Sequence, residues 1–77
     1  MPTQYTLSLY LLSESCDNYL FLLKEKTKKE IKTFLQEQFR EELAYIDYIM
    51  VETNNKKDNK KLKDFIWKII ESEERED

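Results

Sequence analysis

The sequence predicts a small α+β fold of order β-β-α-β-α, in which a three-stranded sheet carries two helices on one face. Three observations lead there. Two stretches near the start alternate apolar and polar residues with a period of two. A capping box in the middle of the chain opens a stripe of helical period. A second such stripe follows an Asn-rich turn.

Residues Gln4 to Leu12 form the first strand. Tyr5, Leu7, Leu9 and Leu11 fall on one side, and Thr6, Ser8, Tyr10 and Leu12 on the other. Ser13 to Asn18 is a polar turn, rich in side chains that hydrogen-bond their own backbone. Tyr19 to about Lys26 forms the second strand, with Tyr19, Phe21 and Leu23 opposed to Leu20, Leu22 and Lys24. Two strands joined by a short polar turn predict an antiparallel hairpin.

Thr27-Lys28-Lys29-Glu30 has the residues of a capping box, in which each side chain satisfies the other residue's amide. Ile31, Phe34, Leu35, Phe39 and Leu43 then recur at helical spacing, which places the first helix from Lys28 to about Glu42. Residues Tyr45 to Thr53 are rich in aromatic and β-branched side chains and read as the third strand. The alternative at 44–53 is one long helix to Glu52, because Ile46 and Met50 also continue the preceding stripe. Thr53-Asn54-Asn55 is a turn, and Asn55 or Asp58 can cap the second helix. Leu62, Phe65, Ile66, Ile69 and Ile70 form its apolar stripe, to about Glu71. A right-handed crossover through the first helix makes strands two and three parallel, with strand one antiparallel between them. Residues 1–77 fit one domain, with 72–77 as a frayed acidic tail.

Composition narrows the function. The chain has 77 residues and neither glycine nor histidine. Phosphate-cradling loops and nucleophile elbows use residues that tolerate positive φ. Histidine is the commonest general base and a common partner of zinc or a thiolate. Their absence removes most routes to small-molecule chemistry. Cys16 is the only cysteine; it has no base beside it and no intrachain partner, which suits a reducing compartment. The pairs Glu41-Glu42 and Glu73-Glu74 are adjacent in sequence and diverge on a helix. No catalytic set, metal set or cofactor motif emerges, and an enzyme is not expected. The net charge of −3 comes from 13 basic and 16 acidic residues, which suits neither a DNA mimic nor a generic nucleic-acid coat. No membrane span or leader pattern is present, so the expected location is the cytoplasm.

Two regions remain as candidates for contact. If Leu7, Leu9, Leu11, Phe21, Leu23, Ile49 and Val51 face the helices, then Tyr10, Leu12, Leu20, Leu22, Tyr48 and Met50 lie on the opposite side of the sheet. So large an apolar group on an uncovered face marks a binding surface, for a second copy or for another protein. Trp67, off the main stripe of the second helix, is either a further anchor or an edge of the core. The second region is basic. Lys28, Lys29 and Lys32 crowd the start of the first helix, and Lys56, Lys57, Lys60 and Lys61 the start of the second. Cations there oppose the helix dipole, so they are either a site for an anionic partner or a solvated edge.

The expected function is that of a small non-catalytic protein-binding module. Phage- or mobile-element-encoded inhibitors that mask a host defence enzyme are of this kind. The alternative is a nucleic-acid-binding regulator that uses the lysine edge.

Overall fold

The structure, a computed structural model, describes residues 3–74. Strands β1 (Tyr5–Ser13) and β2 (Asn18–Lys26) are followed by helix α1 (Lys28–Phe39). A 3-10 segment (Arg40–Tyr45), strand β3 (Ile46–Thr53) and helix α2 (Lys56–Glu74) complete the chain. The sheet order is β2-β1-β3, with β1 antiparallel to both neighbours. The β-β-α-β-α order and the central place of β1 agree with the sequence pattern. Residues 46–53 are strand, not a continuation of the helix.

Period two explains which side of the sheet is covered. Leu7, Leu9, Leu11, Leu23, Ile49 and Val51 are buried on one side, against Ile31, Leu35 and Phe39 of α1 and Leu62, Ile66, Ile69 and Ile70 of α2. Each fully buried Leu or Ile contributes about 1.5–3 kcal/mol from removal of its surface from water. Aromatic rings extend this core along β2. Phe21 meets Phe34 edge-on at 5.0 Å, and Tyr19 meets Phe39 edge-on at 4.9 Å.

Local bonds fix the ends of the helices. The Glu30 amide donates to Thr27 Oγ1 at 3.2 Å, and the Thr27 amide donates to Glu30 Oε1 at 2.9 Å. Of the two candidate caps for α2, Asn55 fills the role: its Oδ1 accepts the Lys57 amide at 3.1 Å. Asn59 Oδ1 accepts the Thr53 amide at 2.7 Å, which ties the end of β3 to the first turns of α2.

Beyond β2, three boundaries and the facing of one side chain differ from the sequence reading. Helix α1 stops at Phe39 rather than near Glu42, because Arg40 takes φ 49° and ψ −121°. That backbone favours glycine and cannot propagate a right-handed helix. Tyr45 therefore closes the 3-10 segment instead of opening β3. Ile46 is buried, although strict alternation would place it with Tyr48 and Met50. Leu12 pairs with Tyr48 while Ser13 pairs with Ile46, so Asp47 is an extra residue that turns Ile46 inward. Helix α2 continues to Glu74 and takes in the first residues of the expected tail; residues 75–77 of that tail lie outside the described residues.

A second irregularity lies on β2. Tyr5 pairs with Lys26 and Leu7 with Leu23, which leaves one surplus residue on β2. Glu25 sits there at φ 52°, and its amide donates to Thr6 Oγ1 at 3.2 Å. Together with Cys16 at φ 69° and Arg40, it shows that the lack of glycine does not spare the chain left-handed backbone.

Candidate interaction surface

Register turns the uncovered side of the sheet into a small lattice. Leu20, Tyr10 and Met50 form its middle row across β2, β1 and β3. Leu22, Ser8 and Glu52 form the row on one side, and Asn18, Leu12 and Tyr48 the row on the other. All six side chains named from the sequence thus share one contiguous face. Leu20 and Leu22 on the outer strand β2 are 68% and 71% exposed, and Tyr48 and Met50 on β3 are 42% and 45% exposed. Tyr10 and Leu12, on the central strand, are half-buried between them. The Tyr10 and Tyr48 rings meet edge to face at 6.2 Å and 67°, which holds the centre of the patch in shape. Ser8, Tyr10, Leu20, Met50 and Glu52 border a shallow groove of about 380 Å³ on this face.

Trp67 does not join these residues. It lies on α2, half-buried against the core, in the helical layer.

The lysines follow from the topology. Strands β2 and β3 run in the same direction on either side of β1, so α1 and α2 both begin beyond the same end of the sheet. Lys28, Lys29, Lys32, Lys56, Lys57, Lys60 and Lys61 are all exposed there. Lys28 Nζ lies 5.5 Å from the centre of the Phe65 ring, a cation–π contact that links the two helices. The Glu30 carboxyl is held below its ordinary range by the backbone N–H of Thr27, then by the Thr27 hydroxyl and the charge of Lys26.

Acids gather at the other end. Arg40, Glu41 and Glu73 border one depression. Glu14, Asp17 and Glu42 border another of about 290 Å³, with Ser13, Tyr19, Phe39 and Tyr45. Partial burial pushes the Tyr19 phenol above its ordinary range, and the nearby carboxylates of Asp17 and Glu42 push it further. The sequence gives no sign of this second depression. It arises because the Glu14 amide donates to the Tyr45 carbonyl at 2.9 Å, which joins the hairpin turn to the 3-10 segment. Cys16 is exposed in the same turn. Among the described residues, no group of three Cys, Asp or Glu side chains is placed to hold a metal ion. Among them, too, no helix is long and apolar enough to cross a membrane.

The fold is a small α+β one, and among the described residues one face of the sheet carries no covering element. No family model matches the chain, and no curated protein or solved structure matches it.

Proposed function

We propose that the chain is a non-catalytic protein-binding module whose docking site is the open face of the sheet. One observation carries the reading: Leu20, Leu22, Tyr48 and Met50 stand exposed around Tyr10 and Leu12 on one continuous surface. Burial of apolar surface yields about 25 cal/mol per Å², so water is a poor neighbour for such a face. Tyrosine and methionine are favoured where proteins meet. The masking inhibitor of a host defence enzyme is the form of this function in which the face meets a foreign target inside the cell.

Co-purification after in-cell crosslinking tests the reading, with wild type compared with Tyr10→Asp/Tyr48→Asp. The double variant is expected to keep its circular dichroism spectrum and lose every crosslinked protein, a second copy included. Retention of the full set by the folded variant refutes the surface.

A second reading has its own observation, the shared end from which both helices start. An anionic partner at that end, such as a nucleic-acid backbone, would bind through Lys28, Lys29, Lys32, Lys56, Lys57, Lys60 and Lys61. Its affinity would fall steeply with salt. Replacement of Lys28, Lys29, Lys60 and Lys61 by Glu is expected to abolish any gel shift. No shift by wild type at low salt removes this reading.

A further inference from the structure

We propose that the occupant of the open face is a second copy of this chain, related to the first by a two-fold axis running along β1. This inference rests on the docking reading above and names the partner.

The argument begins with the charges on the face. Alternation leaves Lys24 of β2 and Glu52 of β3 on the open side. Both border the groove that Thr6, Ser8 and Leu22 line, and both are exposed. They flank β1 from opposite sides, one basic and one acidic. With strands about 4.8 Å apart, their backbones stand roughly 10 Å from each other across β1.

A two-fold axis lying between two such faces and along β1 exchanges left and right while keeping strand direction. It lays β2 of each copy over β3 of the other. Lys24 then comes over Glu52 of the second copy, and Glu52 over its Lys24, so one contact is made twice. Leu20 lies over the second copy's Met50, since both are level with Tyr10. Lys24 and Glu52 are out of level by about two residues, roughly 7 Å, a step that two long side chains can span.

The other two-fold, across the strands, lays β2 over β2 and β3 over β3. With Tyr10 at the axis it carries Lys24 past Asn18 toward the hairpin turn and sets Glu52 over Tyr48 of the second copy, which leaves Glu52 without an opposite partner. Burial of an unpaired charge is costly, and this decides between the two axes. The chosen axis does bring the lysine-rich ends of the copies side by side. Those lysines stand at the helix starts behind the sheet, and at physiological salt charges are screened beyond about 8 Å.

Size is consistent with a reversible pair. Three strands by about six residues give a face of roughly 15 by 20 Å. In plan that is about 300 Å² on each copy, below the roughly 1,200 Å² in total of a stable interface. A weak, readily reversible dimer is expected.

Sedimentation equilibrium on the purified full chain tests the inference, from about 5 to 500 μM in about 0.15 M salt. Wild type is expected to pass from monomer to dimer, and Leu20→Asp and Met50→Lys to remain monomeric with unchanged circular dichroism. Lys24→Glu and Glu52→Lys are each expected to weaken the dimer about tenfold or more. Mixed one to one, these two variants should form a heterodimer near wild-type strength, because each then meets an opposite charge. A wild type that stays monomeric throughout overturns the inference. So does a dimer that survives both Leu20→Asp and Met50→Lys, or a mixture that recovers nothing. If wild type is monomeric yet Tyr10→Asp/Tyr48→Asp still loses its crosslinked proteins in cells, the docking reading stands and the second copy alone is refuted.

Discussion

Ile46 and Ile49 both enter the core although only Asp47 and Tyr48 separate them on β3. On a regular strand, residues three apart point to opposite sides. The surplus residue in the pairing of β3 with β1 reverses that rule for Ile46. The same shift keeps Ile46 out of the open face, which would otherwise carry another large side chain.

Ile46→Ala is therefore expected to cost about 2–5 kcal/mol, the range for truncating a buried isoleucine. Tyr48→Ala, on the exposed side, should cost less than about 1 kcal/mol. Urea midpoints measured on dilute protein compare the two. Equal losses would mean that Ile46 is no more buried than Tyr48.

A similar contrast separates the two sides of the sheet. Leu9 is fully buried on the central strand and Leu22 is 71% exposed. Leu9→Ala should cost about 3–5 kcal/mol, a large part of the 5–15 kcal/mol that holds a typical domain folded. Leu22→Ser should change stability by about 0.5 kcal/mol or less. A large loss from Leu22→Ser in the monomer would show that this face is covered by its own chain.

Much of this architecture was legible from period alone. The alternation at Gln4–Leu12 and Tyr19–Lys24 separates the buried leucines of β1 and β2 from Tyr10, Leu12, Leu20 and Leu22 on the open face, because burial on one side of a sheet needs no information beyond parity; Tyr48 and Met50 join them only because 46–53 is strand. Thr27 and Glu30 announced the start of α1 through their spacing. What parity could not supply was the surplus residue at Asp47 or the stop at Arg40. The first exists only in the pairing with β1. The second carries no glycine to flag it. The depression between the hairpin turn and the 3-10 segment was hidden for the same reason, since it joins Glu14 to Tyr45 across a long stretch of chain.

Arg40 gives the next test. A side chain held in a glycine-favoring backbone costs about 1–3 kcal/mol, against about 0.5–1 kcal/mol of extra freedom lost by glycine. Arg40→Gly should stabilise the protein by about 1 kcal/mol, and raise the melting temperature by about 4–8 °C for a chain of this size. Arg40→Ala keeps the Cβ and should bring no such gain. A lower melting temperature for Arg40→Gly would show that the arginine side chain contributes more than its backbone costs.

The capping box sets a pH dependence. Thr27→Ala removes the hydroxyl that accepts the Glu30 amide and should cost about 1 kcal/mol. The folded-state pKa of Glu30 is depressed, chiefly by the Thr27 backbone N–H. Its contribution is thus complete above the ordinary glutamate value of about 4.3 and is lost as pH falls through the depressed folded value. Glu30→Gln should flatten that part of the acid unfolding curve. Tyr19 acts at the other extreme. Its raised pKa means that stability is complete below the ordinary phenol value of about 10 and declines as pH climbs from there toward the folded value. Tyr19→Phe should remove that alkaline decline. Parallel curves for variant and wild type in either range would contradict the corresponding assignment.

The surplus residues at Glu25 and Asp47 fall on β2 and β3, the two strands that end the sheet. A foreign strand adding laterally to either margin would meet a kink and a charged side chain at one end of its ladder. Growth into ribbons or fibrils is thereby discouraged at both flanks. A chain this rich in leucine and tyrosine can then display an oily plane without polymerising along its borders.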